Sequence, residues 1–240
     1  MTVQQLFQSA QLDEAVKALT AEVRDNPTDS RRRTFLFELL CFAGDFARAE
    51  KQLDVLAQGG PQSDMGAMVY RGALAAERTR HEMFQKSELP APSGDGAAMR
   101  ISGTINGNSF HSLLDSDDRL GGHLELFVVG SYVRIPFGML STIHIEAPKK
   151  LRDLLWLPAT VRTSEAFQGR ELGEVLLPVL SPFSWQSADP AVRLGRATAW
   201  EEDEIGETHP RGQKVFLADD EELPILQLRD VEIVVTEAAP

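Results

Sequence analysis

The chain has 240 residues, 42% hydrophobic and 25% charged, which is typical of a soluble globular protein with one large or two modest domains. Its net charge of −12 argues against nucleic acid as a partner, because binding phosphates requires a basic surface. The sequence predicts neither a signal peptide nor a membrane span, so we expect a cytoplasmic protein that does not contact a membrane.

Five helices are predicted in the first 88 residues from hydrophobic periodicity and helix-capping residues. Thr2 and Gln5 have the spacing of a capping box that begins the first helix. The other four are predicted at 13–24, 29–43, 45–58 and 63–86. The single cysteine, Cys41, excludes an internal disulfide, and its apolar neighbours favour a buried, unreactive thiol.

An internal repeat of 34 residues relates these helices. The matching pairs are Leu12 and Phe46, Ala15 and Ala49, Leu19 and Leu53, and Pro27 and Pro61. This is the period of the tetratricopeptide helix–turn–helix repeat, although the usual aromatic-rich first helix is absent. The sequence therefore predicts a tetratricopeptide-like helical domain over residues 1–88.

A stretch rich in proline, glycine and serine predicts a linker over residues 89–98. Residues 99–240 then show short alternating segments and turn residues, which predict a mostly β domain and an α+β fold class overall. Asn106-Gly107 is typical of a type I′ hairpin turn, and Gly121-Gly122 marks a turn before a further hairpin. Strands are predicted at 101–105, 109–113, 124–129, 132–135, 143–146, 174–179, 196–200, 214–217 and 231–235, with a short helical turn at 149–155.

No familiar catalytic or metal-binding motif is present. GxSxG, GxxxxGK[ST], GxGxxG and HExxH are absent, and no two of the five histidines are spaced i, i+4 on a helix. The acidic run at 115–118 lacks the ligand spacing of an EF-hand loop. We therefore expect no catalytic residue, metal or cofactor, and we interpret the acidic run at 201–204 as a solvated loop.

Three side chains receive specific interpretations. Arg119 is expected to pair with a neighbouring aspartate and hold its loop. Trp156, between apolar residues, is expected in the core of the β domain. Trp185, beside Pro182 and Ser184, is either a core residue or an exposed anchor of a partner site.

Several ordered elements between residues 105 and 217 together resemble the ImpE family, also called SciE or TagJ, accessory proteins of bacterial type VI secretion. They are DSDDRLG at 115–121, Leu124-Glu125, Tyr132, Pro136-Phe137, Pro148 with Leu151-Arg152-Asp153, Trp156 and Pro158, Leu194-Gly195-Arg196 with Thr198 and Trp200, and Gly212-Gln213-Lys214. Three positions depart from the family pattern: Gly122 replaces a proline, Arg134 a tryptophan and Ala199 an acidic residue.

The resemblance implies a non-catalytic adaptor with a helical N-terminal part. Its implied partners are the small subunit of the contractile sheath, bound through that subunit's N-terminal helix, and the AAA+ ATPase that disassembles the sheath. The candidate family-signature or partner-binding residues are Asp115, Asp117, Arg119, Gly121, Tyr132, Pro136, Phe137, Arg152, Asp153, Trp156, Arg196 and Trp200. The aspartate–arginine block either locks a loop or contacts a partner.

The alternatives come from other classes. One is an enzyme of unknown reaction with a pocket near residues 115–119, which a deep cleft holding convergent titratable groups would favour. Another is a purely structural protein that stabilises one partner subunit.

Overall fold

The computed structural model of the chain describes residues 1–88, 100–165, 169–203 and 206–236, so the predicted linker at 89–98 lies outside the described residues. The N-terminal helices are α1 (Val3–Gln8), α2 (Leu12–Asp25), α3 (Ser30–Phe42), α4 (Phe46–Ala57) and α5 (Pro61–Gln85). Thr2 and Gln5 form the predicted capping box, and Asp29 and Asp45 cap α3 and α4. These helix predictions are confirmed.

The fifth helix begins earlier than predicted. It starts at Pro61, after Gly60 in an extended left-handed conformation (φ 120°), because proline suits the first helical position. Pro61 thus begins a helix, whereas Pro27 follows one, so this pair of the 34-residue repeat is not equivalent. The equivalent positions Ala15 and Ala49 are both fully buried, on α2 and α4 respectively.

The rest of the described chain is mostly antiparallel β structure. The strands are β1 (Arg100–Ile105), β2 (Asn108–Phe110), β3 (Leu113–Asp115), β4 (His123–Val128), β5 (Ser131–Pro136), β6 (Leu140–Ile145), β7 (Trp156–Thr163), β8 (Glu171–Pro178), β9 (Thr198–Glu202), β10 (Thr208–Gly212), β11 (Val215–Ala218), β12 (Glu221–Pro224) and β13 (Asp230–Thr236). Eight of them form one sheet in the order β2-β1-β13-β6-β7-β8-β4-β5. A three-stranded sheet (β12-β11-β3) and the β9–β10 hairpin complete the α+β fold.

Several β elements differ from the predictions. The predicted strand at 109–113 is split into β2 and β3, and β10 and β12 were not predicted. Strand β7 was also missed because Pro158, which cannot donate to a strand ladder, argues against a central strand. Glu201 and Glu202 lie in β9, so the run at 201–204 is not simply a solvated loop; Glu204 is outside the described residues.

Left-handed residues form the two hairpin turns that matter most for the fold. Asn106 (φ 52°) and Gly107 (φ 85°) join β1 to β2, which confirms the predicted turn. Val129 (φ 47°) and Gly130 (φ 79°) join β4 to β5. A β-branched residue rarely adopts positive φ, and Val129 is also 99% exposed.

The helices and the β part share a hydrophobic core. The apolar faces of α1–α5 pack together with Phe127, Leu155, Trp156 and Leu194 of the β part. A second core lies between the large sheet and the three-stranded sheet. Cys41 is buried in the first core, where burial raises the pKa of its thiol, as expected for an inert cysteine. Among the described residues, no helix is both long enough and apolar enough to cross a bilayer.

Candidate functional site

Five buried charged residues connect the helices to both sheets, and we call them the junction network: Glu77, Arg80, Asp115, Glu125 and Lys214. Glu125, on β4, is its centre. The Arg80 guanidinium, on α5, donates from Nε and Nη2 to the two Glu125 oxygens, each at 2.8 Å. Lys214 Nζ donates to Glu125 Oε2 at 2.7 Å and lies 2.7 Å from Asp115 Oδ2.

Glu77 extends the junction network along α5. Its two oxygens accept from Arg80 Nη1 and from Trp156 Nε1, both at 2.9 Å. Tyr132, on β5, donates its hydroxyl to Glu125 Oε1 at 2.7 Å. These contacts tie α5 to β4, β5 and β7, so the network fixes how the helical part sits on the large sheet.

Opposite charges outweigh burial at two of the three carboxylates. Burial opposes ionisation of Glu77, but Arg80 lowers its pKa to about 2. Burial likewise opposes ionisation of Glu125, yet Arg80 and Lys214 hold its pKa well below the ordinary value. At Asp115 burial prevails over Lys214 and raises the pKa to about 6.

The aspartate–arginine block is a closely packed turn. Arg119 donates from Nε and Nη2 to the two Asp117 oxygens at 2.7 and 2.6 Å, which confirms the predicted pairing. Asp115 accepts from the Asp117 backbone N–H at 2.9 Å, and Gly121 adopts positive φ (49°) where the turn closes. Arg119 also lies 4.6 Å from the centre of the Phe84 ring on α5.

A second group of signature residues packs against the helices next to the junction network. Asp153 accepts from the backbone N–H groups of Lys149 and Lys150 and holds a 3₁₀ turn at Leu151–Leu154. Arg152 stacks on Tyr70 of α5, with its guanidinium carbon 4.7 Å from the ring centre. Trp156 is buried, as predicted, and stacks on the same ring, but it lies in the core shared with the helices and not in the core of the β domain.

The remaining signature residues lie elsewhere. Pro136 ends β5, and Phe137 is buried against Phe216 in the second core. Arg196 donates to the carbonyls of Phe7 and Gln8 at 2.8 Å, which joins the β part to α1. Trp200, on β9, is 47% exposed.

Sequence reasoning missed Glu77, Arg80, Glu125 and Lys214 as members of a site, although Glu125 and Lys214 lie in elements that resemble the family pattern. The signal for the first two was their position on α5, in the stripe that also contains Ala73, Leu74 and Phe84. A charged residue inside an apolar stripe is buried only if it is paired. Lys214 has no comparable local signal, because its partners lie in β3 and β4.

A cleft of about 1000 Å³ opens beside the junction network, and we call it the α5 cleft. It is lined by α5, the turn at 117–119, the segment 181–187 and the β9–β10 hairpin. The lining side chains include His81, Phe84, Arg119, Phe183, Trp185 and Arg211. Trp185 is half-buried and packs edge-on against His81 with ring centres 4.3 Å apart, so it is partly a core residue and partly a cleft wall.

Three residues of the α5 cleft have the geometry of a weak metal site. Asp203, Glu207 and His209 each place one ligand atom within 4.8 Å of the others. His209 Nε2 lies 3.3 Å from Asp203 and 3.6 Å from Glu207, distances that ion pairs alone also explain. Glu207 is exposed, so these residues give no sign of the dry, closed shell of a structural metal centre.

An exposed apolar surface lies on the N-terminal half of α5, away from the cleft residues of its C-terminal half, and we call it the methionine face. Met65 and Met68 are each 72% exposed and Val69 is 52% exposed, at the i, i+3, i+4 spacing of one helix face. The β4–β5 turn, whose Val129 is exposed, packs on α5 about one helical turn beyond Val69, where Gly130 approaches Gly72. Large exposed apolar side chains grouped in this way mark an interaction surface.

Comparisons with known proteins agree on the relationships of the chain. The ImpE protein family matches residues 107–232. The chain is 32% identical to the type VI secretion system accessory component TagJ of Pseudomonas aeruginosa, over 99% of this chain and 93% of that protein. A crystal structure of a Vibrio parahaemolyticus protein has a TM-score of 0.83 at 24% identity, covering 98% of each chain, and this likeness concerns the fold alone.

Proposed function

The chain belongs to the ImpE family, and from this membership we propose that it is a non-catalytic adaptor of a bacterial type VI secretion system. In this role it works in the cytoplasm, binds the N-terminal helix of the small sheath subunit and links the sheath to its AAA+ disassembly ATPase. The name of its Pseudomonas aeruginosa relative, an accessory component, supports a role beside the secretion machinery.

The methionine face carries the proposal. Met65, Met68 and Val69 present an apolar strip on a rigid helix, and methionine side chains adapt to the shape of a partner. An amphipathic helix buries its apolar face in such a surface through side chains at i, i+3 and i+4. The β4–β5 turn, which carries the exposed Val129, packs on α5 at Gly72, about one helical turn beyond Val69.

The helical part also supports the tetratricopeptide-like interpretation. The repeat positions Leu12, Ala15 and Leu19 of α2 and Ala49 and Leu53 of α4 are all buried. A groove of about 640 Å³ between α3, α4 and α5 includes Phe37, Leu53 and Tyr70 in its lining. Stacked helix pairs with a groove of this kind are the usual platform for a partner segment.

A titration with a fluorescent peptide tests the proposal. The peptide comes from the N-terminal helix of the cognate small sheath subunit, and fluorescence anisotropy reports its binding to the full chain. We expect saturable binding that the double substitution Met65→Glu with Met68→Glu weakens by at least about tenfold, because it places two charges in an apolar contact. Val234→Glu is the matched control, since Val234 is an exposed apolar residue on β13, far from α5 in the chain.

The outcomes separate the parts of the proposal. A peptide that fails to bind at high micromolar protein would contradict sheath binding. Binding that tolerates the double substitution would move the contact to the α3–α5 groove, where Tyr70→Ala is the next variant. A further rise in anisotropy when the AAA+ ATPase is added to the saturated complex is the expected sign of the adaptor link.

The enzyme alternative rests on the α5 cleft, which borders Arg119 and holds His81 and His209. Asp115, at the start of the stretch 115–119 near which the sequence predicts such a pocket, is buried in the junction network and paired with Lys214. Its neighbour Asp117 is bound on both oxygens by Arg119. Because both aspartates are held in ion pairs within the protein, a structural role for the aspartate–arginine block is favoured over a catalytic one.

A further inference from the structure

Arg211 has an unusual position at the base of the α5 cleft. Arg211 is only 7% exposed, and its Nη1 donates a hydrogen bond to the Pro182 carbonyl. Its guanidinium carbon lies 5.4 Å from the centre of the Phe183 ring. Within the described ranges, no carboxylate lies at ion-pair distance from Arg211, and its Nε and Nη2 make no hydrogen bond.

The acids that surround Arg211 are held by other groups. Glu201 accepts from the Ser187 hydroxyl at 2.5 Å, and Asp117 is bound by Arg119. Asp203 accepts from a backbone N–H at 2.9 Å and also faces His209. Burial, together with the neighbouring Arg119, lowers the pKa of Arg211. Among the described residues, the guanidinium therefore has two donors, Nε and Nη2, without a hydrogen-bond partner at the wall of the α5 cleft.

The shape and polarity of the α5 cleft define what would fit beside those donors. The Nε–Nη2 edge of an arginine matches the two oxygens of a carboxylate. The walls next to it are the rings of Phe84, Phe183 and Trp185, which suit an apolar or aromatic group. The exposed acidic side chains that line the cleft, Glu82, Asp118, Glu202 and Glu207, repel a dianion such as phosphate more strongly than a single carboxylate.

We propose that the α5 cleft binds a carboxylate attached to an aromatic or apolar group, with Arg211 as its anchor. Arg119 also lines the cleft, but its charge is paired with Asp117, so Arg211 is the primary anchor. The carboxylate comes either from the C-terminus of a peptide or from an acidic side chain within one. This site is separate from the methionine face, so its test does not depend on whether the chain binds the sheath subunit.

Nuclear magnetic resonance of the full chain tests the proposal with two matched pairs of probes. N-acetylphenylalanine and its neutral amide represent a terminal carboxylate. N-acetyl-Glu-Phe-amide and N-acetyl-Gln-Phe-amide represent a side-chain carboxylate. The readout is the indole N–H signal of Trp185, assigned with Trp185→Phe. We expect saturable shifts with at least one acid probe and at least about tenfold weaker binding of its neutral partner.

Substitutions then test whether Arg211 is the residue that binds the carboxylate. Arg211→Gln is expected to weaken the acid probe by at least about tenfold, and Arg211→Lys by less, because lysine keeps the charge but loses the fork. Arg48→Gln is the matched control, since Arg48 is a solvent-facing arginine outside the cleft. If Arg211→Gln fails to fold, Arg211→Lys and Arg119→Gln carry the test.

Two results would overturn the proposal. One is equal binding of the acid and neutral probes, including no binding by either, because the carboxylate would then contribute nothing. The other is acid binding that both Arg211 substitutions leave unchanged. A preference between the two acid probes identifies whether the natural ligand offers a terminal or a side-chain carboxylate.

Discussion

Arg80 and Arg211 are both almost fully buried, with 1% and 7% exposure, yet their surroundings are opposite. Arg80 lies in the junction network between Glu77 and Glu125, and three of its donors meet carboxylate oxygens. Arg211 lies at the base of the α5 cleft, where its partners are one carbonyl group and one aromatic ring. The two sites are neighbours, since both border α5.

The difference separates structural charges from charges available to a ligand. A buried ion pair leaves a costly unpaired charge when one partner is removed, whereas a buried arginine without a carboxylate leaves none. The junction network therefore holds the helices on the sheet, whereas Arg211 in the α5 cleft has hydrogen-bond donors available for a ligand. The following predictions test this contrast in order of expected size.

The largest effect is expected from Arg80→Met. It leaves Glu77 and Glu125 buried without their shared cation, which should lower the free energy of unfolding by about 3–5 kcal/mol. Urea denaturation followed by circular dichroism measures the change. Arg78→Met, on the same helix but paired with Glu50 at the surface, should cost less than about 1 kcal/mol. Similar losses in both variants would refute the special role of the network.

The second effect is a dependence of stability on pH at Glu38, a buried acid on α3. Burial raises its pKa to about 7, partly opposed by Arg152, whose Nη1 lies 3.9 Å away. Between pH 4.5 and about 7 the folded chain keeps a proton that the unfolded chain has released, so this group makes stability fall as pH rises. Glu38→Gln should remove that fall, by about 3 kcal/mol.

The measurement for Glu38 is urea denaturation of both proteins at several pH values. The variant should gain stability relative to the unsubstituted chain as pH rises through this window and stay constant above it. A difference between the two proteins that does not change with pH would show that Glu38 ionises normally.

The third effect concerns Trp156→Phe, which removes the indole donor to Glu77 but keeps most of the buried ring. Hydrogen bonds to charged groups are worth about 1.5–3 kcal/mol, so a loss of about 2 kcal/mol is expected on denaturation. Trp200→Phe is the matched control because Trp200 is exposed on β9, and its effect should stay below about 0.5 kcal/mol.

The smallest effect is expected from Arg211→Met. Because no carboxylate among the described residues depends on Arg211, the free energy of unfolding should change by less than about 1 kcal/mol in either direction. The comparison with Arg80→Met uses the same substitution and the same assay. A loss of unfolding free energy as large as that of Arg80→Met would mean that Arg211 is a structural residue. It would contradict the view that its donors are available for a ligand.

Much of the local structure was predictable because its causes are local. Asp29 and Asp45 begin helices by accepting from the backbone three residues later, and Asn106-Gly107 tolerates the positive φ of a tight hairpin. The pairing of Arg119 with Asp117 is also local, since the two residues are two positions apart in the chain. Strand β7 was missed because Pro158 opposes it locally and only its neighbours β6 and β8 hold it in the sheet.

The amino-acid sequence by itself determined the helices, the main hairpins, the α+β class and the family, because capping, turn chemistry and ordered motifs act over short distances. The tertiary structure alone decided what the charged residues do. Glu77, Glu125 and Lys214 are far apart in the chain: folding of the β part brings Lys214 to Glu125, and Arg80 joins Glu77 to Glu125 only where α5 packs on the large sheet. Burial then decides whether such a charge is paired, as at Arg80, or left open, as at Arg211.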